Sequence, residues 1–271
     1  MDTAVAGLDH ALVGVADLEA ARAGWSRLGF TVTPRGRHTG WGTANYCIMF
    51  PYDYIELLGI VDPEQFTNNL DRFLAERGEG LLSLSFATSD IEESARRLSG
   101  NGVEHGGPKD LSRALELPEG PVQPAFRLLH PVPEASPAFP AFLCQHLTPE
   151  LVWQPQWTSH ENAATAVRRV QVACQHPGEA APAYAAIFGE ENLQMADGRA
   201  LLTCGTCEIL LEPAEMPGTR EGLAGLSLLS ADLRRTEACL RHNGVTCSLD
   251  DAGVHVPASE ANGVALSFVS H

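Results

Sequence analysis

Positive charge is what this chain has least of. Lysine and arginine number 18 against 34 aspartates and glutamates, a formal charge of −16. Nucleic acid and anionic membranes are held by clustered cations, so neither is an expected partner. Long apolar runs are also missing, since none nears the roughly 18 residues of a membrane span. The opening MDTAVAGLDHALVGV lacks a basic start and is interrupted by Asp2, Asp9 and His10, so it is not expected to be a secretory signal. Several signatures of chemistry are absent as well: no P-loop, GxGxxG, GxSxG or HExxH occurs in the sequence.

Cysteine is sparse and odd in number, with seven at positions 47, 144, 174, 204, 207, 239 and 247. They are scattered through apolar segments, which reads as buried thiols in a reducing cytoplasm. Cys204 and Cys207 form CGTC, but no second CxxC or His pair accompanies them, so a metal or redox role is not expected. What is present suits a soluble globular protein: 44% hydrophobic and 19% charged residues suffice for a real core. At 271 residues the chain has room for one large domain or two of usual size.

Its dominant feature is internal repetition. GLDHALVGVADLEAARAGWSRLGFTV from Gly7 aligns without gaps on GLLSLSFATSDIEESARRLSGNGVEH from Gly80, at an offset of 73. Asp17 then meets Asp90, and Gly29 meets Gly102. GLAGLSLLSADLRRTEACLRHNGVTC from Gly222 fits at an offset of 215, and the weaker VRRVQVACQHPGEAAPAYAAIFGEEN fits at 160.

Each copy has the same physical pattern. A short apolar strand, Leu8–Val15 in the first, leads to an Asp suited to capping a helix N-terminus. Leu18, Ala21, Trp25 and Leu28 then recur at helical spacing, and Gly29 stands where a left-handed residue ends such a helix. An extended segment and the strand-like runs Ala44–Phe50 and Tyr54–Ile60 complete a β-α-β-β-β unit. The second unit supplies Phe126–His130 and Phe139–His146. The third supplies Ala200–Thr203 and Cys207–Glu212, the fourth Gly253–Pro257 and Val264–Val269. The expected fold class is therefore α+β, with one domain over residues 1–150 and a second over 165–271. The Pro-rich stretch 118–140 is expected as an ordered loop, and Trp153 and Trp157 as packing for the connection between domains.

Glu56 is the residue that asks for an explanation, because it lies between Ile55 and Leu57 in a β-rich run. A carboxylate there either faces solvent or is buried against a partner. His38 and Asn45 flank the turn GWGTA, whose glycines let backbone approach a ligand closely. With Trp41 and Tyr54, which shares the face of Glu56, they are expected to line a site. Tyr52 is a weaker candidate for that lining, and His160 a weaker one for a lid or helix-cap role.

Four βαβββ units carrying LDHALVGVADLEAARAGWSRLGF, HTGWGTANY and YIELLG resemble the vicinal oxygen chelate superfamily end to end. Within it they look most like the glyoxalase-like group. The resemblance implies two paired, cup-shaped mixed β-sheets flanked by helices, each pair around a central site. It also implies a divalent metal (manganese, iron, nickel or zinc) held from the first and last strands of two paired units. The first-strand position is His10 and the last-strand position Glu56. In the second unit Ser83 falls opposite His10, and Gln145 is the natural match for Glu56, with His146 beside it. Strand neighbours point opposite ways, so only one of Gln145 and His146 faces the cup unless a bulge intervenes. The second pair carries Val170 and Gly225 at first-strand positions and Glu212 on a last strand. It reads as degenerate, supporting the first pair or forming a homodimer through it.

The function implied is a glyoxalase-type lyase or isomerase acting on a small oxygenated metabolite, with His10 and Glu56 moving protons beside the metal. Two alternatives stand beside it. One is a metal-free protein that sequesters a small compound, which Ser83 favours. The other is an extradiol-type dioxygenase.

Overall fold

The computed structural model describes residues 5–214 and 221–270. Its first half runs β1 (Gly7–Gly14), α1 (Leu18–Arg27), β2 (Gly36–His38), β3 (Thr43–Met49), β4 (Tyr54–Ile60) and α2 (Leu70–Arg77). It continues with β5 (Gly80–Ala87), α3 (Ile91–Gly100), β6 (Lys109–Leu115), β7 (Ala125–Leu129) and β8 (Ala141–His146). The second half runs β9 (Ala164–Ala173), α4 (Pro177–Phe188), β10 (Leu193–Ala196), β11 (Arg199–Cys204) and β12 (Cys207–Glu212). Then come β13 (Gly222–Ser230), α5 (Leu233–His242), β14 (Ser248–Asp250), β15 (Gly253–Val256) and β16 (Ala265–Val269).

Every unit lays its first strand parallel to its fourth: β1 on β4, β5 on β8, β9 on β12, β13 on β16. Units then join through antiparallel first strands, β1 with β5 and β9 with β13. This is the expected α+β architecture of four βαβββ modules in two paired sheets. The first pair goes further than a cup. Gly36, Arg37 and His38 of β2 pair with Leu115, Ala114 and Arg113 of β6, closing an eight-stranded barrel. The second pair stays open, with β10 and β14 at its edges.

Local chemistry explains the recurring strand-to-helix step. The carboxylates of Asp17, Asp90 and Asp232 accept backbone N–H groups of Ala20, Glu93 and Arg234 at 2.9, 2.9 and 3.0 Å. Asp17 and Asp90 each satisfy one of the donors a helix start leaves open, and Asp232 satisfies a second from Arg235 at 3.1 Å. The third unit has His176 there, with no side-chain cap and Pro177 at the first helical position. After the helices, Gly29, Gly102 and Gly244 take φ of 88°, 79° and 68°, the left-handed turn that glycine accepts most readily.

Strand alternation divides the apolar residues into two cores. Ala11, Val13, Ile55, Leu57 and Leu143 face out of the barrel into one large core with the helices and the inner face of the second sheet. Leu12, Tyr54, Leu58, Phe126, Phe142 and Cys144 face in and fill the lumen. The two halves are further tied by Tyr184 of α4. Its hydroxyl accepts the N–H groups of Ala138 and Phe139 at 2.9 Å each, and its ring stacks on Phe139 at 4.6 Å. Burying a ring of that size contributes about 2 kcal/mol or more.

The connection after β8 shuts one end of the barrel. Trp153 donates its indole N–H to Phe50 O at 3.1 Å and packs 4.7 Å from the His146 ring, while Trp157 joins the lumen core. His160 accepts the Thr31 N–H and donates to Met49 O, both at 3.0 Å, and burial brings its imidazole down to about 4. It is a neutral structural histidine that anchors the connection. Among the described residues no helix is long and apolar enough to cross a membrane.

Candidate site in the barrel lumen

His10 is placed by an irregularity in β1. Leu8 pairs with Phe86 and His10 with Ser85, so Asp9 is an extra residue, a β-bulge. The bulge turns two adjacent side chains to the same side. Asp9 Oδ1 lies 2.5 Å from His10 Nδ1, and Asp9 Oδ2 lies 2.9 Å from His146 Nε2. Asp9 is 2% exposed and His10 4%. Burial alone would raise the Asp9 carboxyl, but His146 and His10 hold it well below the usual carboxylate range. Burial likewise opposes charge on His10, yet Asp9 and Glu56 hold its imidazole up at about 9.

Glu56 sits across the lumen face of β4, and its Oε2 lies 3.2 Å from His10 Nε2. Its other oxygen accepts from Asn45 Nδ2 at 2.6 Å, and Asn45 Oδ1 in turn accepts from Arg113 Nη1 at 2.7 Å. Burial would raise Glu56, but the hydrogen bond and charge of His10 hold it at about 2. His38 stands beside this row, its Nδ1 against Thr43 Oγ1 at 2.9 Å and its Nε2 3.9 Å from Glu56 Oε1. Burial pushes the His38 imidazole below its ordinary value. Gly36 makes room for the row, since a Cβ there would come 2.6 Å from Arg113 Nη1 and also strike Asn45. The chain His146–Asp9–His10–Glu56–Asn45–Arg113 is one continuous buried polar network.

A cavity of about 70 Å³ borders that network, lined among others by His10, His38, Trp41, Asn45, Glu56 and Arg113. It meets a much larger cleft, about 1040 Å³, which shares Leu12, Leu58, Asn68, His130 and Phe142 as lining. With the other barrel end shut by Trp153 and Trp157, this shared collar is the mouth. The Pro-rich loop, expected from the sequence to be ordered, walls the cleft through Pro131, Pro137 and Pro140.

The sequence-derived candidates separate cleanly. His10, Glu56, His38, Asn45, Tyr54 and Trp41 all border the small cavity, with Tyr54 stacked on His10 at 4.4 Å. His146 points inward beneath them and Gln145 points outward. Gln145 accepts the Ile91 N–H at 3.3 Å and donates to Ser89 O at 2.7 Å, serving the start of α3. Tyr52 is 84% exposed and lines nothing in the lumen. Glu212 pairs with Arg199 at 3.3 Å and lies off the position of Glu56, which in its unit is Leu211 by strand pairing. Three lumen residues escaped the sequence reading. Asp9 looked like an interruption of an apolar run, Arg113 lay in a stretch not read as a strand, and Cys144 looked like a plain core thiol.

Strand pairing also shows whether the lumen suits the divalent ion that the resemblance implies. Leu12 pairs with Glu56, and its counterpart 73 residues on, Ser85, pairs with Phe142. Phe142 therefore stands where the second unit would repeat Glu56, and the Ser83 hydroxyl is donated to Pro140 O at 3.0 Å. His10 Nδ1 on Asp9 leaves Nε2 for a partner, but the buried Arg113 guanidinium puts a fixed positive charge on the same wall. The His10–Glu56 pair thus lacks the other half of a metal centre and does not fit one. Donors of suitable type do gather one layer deeper. Asp9, Cys144 and His146 offer atoms within 4.8 Å of one another, the one such group among the described residues. Its Asp9 is already engaged by two imidazoles.

Comparison with known proteins agrees with this architecture. The profile of the glyoxalase-like domain family matches residues 8–188. No curated protein matches the sequence. Among solved structures, a hypothetical protein from Staphylococcus aureus superposes with a TM-score of 0.73 at 16% identity, covering 97% of this chain and 99% of its own. A mutant 4-hydroxymandelate synthase from Streptomyces coelicolor gives 0.63 at 12% identity, over 98% of this chain and 92% of that one. A fusion of a xylose isomerase-like TIM barrel with 4-hydroxyphenylpyruvate dioxygenase gives 0.63 at 13%, over all of this chain and 49% of the fusion. At such identities these neighbours share the fold alone. With two thirds of its length matched by the family profile, and with the paired βαβββ barrel on which His10 and Glu56 sit, the chain belongs to the glyoxalase-like domain family.

Proposed function

We propose that this chain is an enzyme of isomerase or lyase type that moves a proton on a small oxygenated molecule, with His10 and Glu56 as its acid and base. The 3.2 Å contact between them, inside a barrel with one open end, is the observation that supports this reading. At rest the pair neutralises itself, and Glu56 held at about 2 is too weak a base to take a proton from carbon. A substrate oxygen that accepts the His10 Nε2–H would loosen Glu56 from its partner. Burial would then raise the basicity of the freed carboxylate. His10 and Arg113 would supply positive charge where an enolate oxygen develops.

The test is solvent deuterium exchange. A panel of 2-oxo and 2-hydroxy carbonyl compounds is incubated with the protein in D₂O, and label at the carbon beside the carbonyl is read by NMR. His10→Gln and Glu56→Gln are each expected to slow exchange by roughly 10²-fold or more. Exchange equal in wild type and both variants would reject the assignment. The wide cleft favours a second reading, a protein that sequesters its ligand. Tight binding without exchange would support that one.

A further inference from the structure

Arg113 is the buried cation that the proton-transfer pair does not fully use. It is 4% exposed, and both of its hydrogen bonds leave from Nη1, to Asn45 Oδ1 at 2.7 Å and Cys47 Sγ at 3.6 Å. No carboxylate lies within 4.0 Å of its nitrogens among the described residues, because Asn45 stands between it and Glu56. A guanidinium carries five N–H donors in a rigid fork. Burying such a charge without an anion is costly, yet β6 carries this one into the lumen wall and Gly36 clears space beside it. The fork is shaped for the two oxygens of a carboxylate, which it can grip bidentately.

The two cavities fix what else the ligand carries. About 70 Å³ is room for little more than a head group, since a water occupies roughly 30 Å³ of liquid volume. Beyond the collar, about 1040 Å³ is walled largely by apolar groups including Leu82, Pro131, Pro137, Phe139, Pro140 and Ala141. Lumen and cleft together therefore present a cationic, narrow end and an apolar, wide end.

We propose that the ligand is a monocarboxylic acid with an apolar body, its carboxylate on Arg113 in the lumen and its body in the cleft. This rests on the reading of the lumen as the reaction site and adds the substrate class to it. Isothermal titration at pH 7 with acetate, hexanoate, 3-phenylpropanoate and the neutral hexanamide tests it. The two larger acids are expected to bind at least tenfold more tightly than acetate, and hexanamide at least tenfold more weakly than hexanoate. Arg113→Lys, which keeps the charge but loses the fork, is expected to weaken hexanoate at least tenfold. Pro137→Trp, on an exposed part of the cleft wall, is expected to weaken hexanoate and leave acetate unchanged.

Equal binding of hexanoate and hexanamide, or of hexanoate and acetate, would overturn the proposal. So would an Arg113→Lys protein that is folded by circular dichroism and binds hexanoate normally. If that variant does not fold, the acid–amide comparison and Pro137→Trp still decide. The two readings fail separately. Acids that bind but show no deuterium exchange defeat the proton-transfer assignment and support this one, while exchange confined to neutral carbonyl compounds does the reverse.

Discussion

Asp9 and His10 are neighbours in sequence, yet Oδ1 of the first lies 2.5 Å from Nδ1 of the second, both inside the barrel. A regular strand would send one of them outward. The contact makes His10 part of a buried ion pair on each side, and its removal has a defined pH signature.

With its pKa raised to about 9, His10 stabilises the fold fully below its ordinary value of 6.5, and that contribution is lost as pH rises through 9. Glu56, lowered to about 2, contributes above its ordinary 4.5 and loses the contribution as pH falls through 2. Asp9→Asn is expected to cost about 3 kcal/mol or more at pH 6, as breaking a buried pair does. It should also bring the alkaline loss to lower pH. Urea denaturation at pH 6, 8 and 10 checks both, and an alkaline limb unchanged from wild type would refute the pairing.

Gly36→Ala puts a methyl group 2.6 Å from Arg113 Nη1 and into Asn45. Overpacking of this kind costs about 1–3 kcal/mol. The larger expected effect is on ligand binding, because Arg113 and Asn45 must move together. A melting temperature lowered by several degrees, in line with that cost, together with tenfold weaker hexanoate binding is the expected pair of results.

If the second unit lacks metal ligands only because Ser83 and Phe142 replaced them, restoring donors should restore the ion. Ser83→His with Phe142→Glu is expected to bind about one equivalent of Ni²⁺ or Mn²⁺ by elemental analysis after dialysis, in a manner abolished by Glu56→Gln. Wild type retaining an equivalent in a Glu56-dependent way would show that the native pair already suffices.

Asp53 joins the barrel to β9 by accepting the Val167 N–H at 3.0 Å, and burial raises its carboxyl to about 7. Here the sign is opposite to Glu56. Stability is greatest while Asp53 is protonated and falls as pH climbs from about 4 through 7. Asp53→Asn is therefore expected to raise the melting temperature at pH 8 and to change little at pH 4. Calorimetry at the two pH values reads the difference.

All seven cysteines are free thiols, and six are buried. Burial pushes Cys47 up to about 11 and Cys204 up to about 12, so neither offers a thiolate near neutrality. A thiol-reactive dye is expected to label at most one site, Cys247, in the native protein and all seven in denaturant. Rapid labelling of Cys204 or Cys207 would restore a chemical role for CGTC.

The repeat made the architecture readable because its signals are local. An Asp at 17, 90 and 232 caps a helix, and a Gly at 29, 102 and 244 ends it, whatever surrounds them. His10 and Glu56 came instead from the resemblance, which places them on the first and last strands of the first unit. Register was harder. Gln145 looked like the match for Glu56, whereas strand pairing gives Phe142 that place, three residues away and on the opposite face of the strand. Arg113 was hidden because KDLSRALEL shows no clean alternation, and only its pairing with β2 and β7 makes it a barrel strand. Asp9 was hidden because a bulge leaves no mark in composition.

That bulge is not peculiar to β1. In β5 the extra residue is Leu82, and in β13 it is Ala224. Offsets of 73 and 215 carry Asp9 onto both. The distortion thus belongs to the scaffold, and only its occupant differs: a carboxylate, a leucine or a methyl group. Three of the four modules thus offer a socket in which one side chain stands in place of another, while in β9 the extra residue is Arg168, one position off the match. Leu82 in β5 is the place where that socket holds a side chain without polar chemistry of its own.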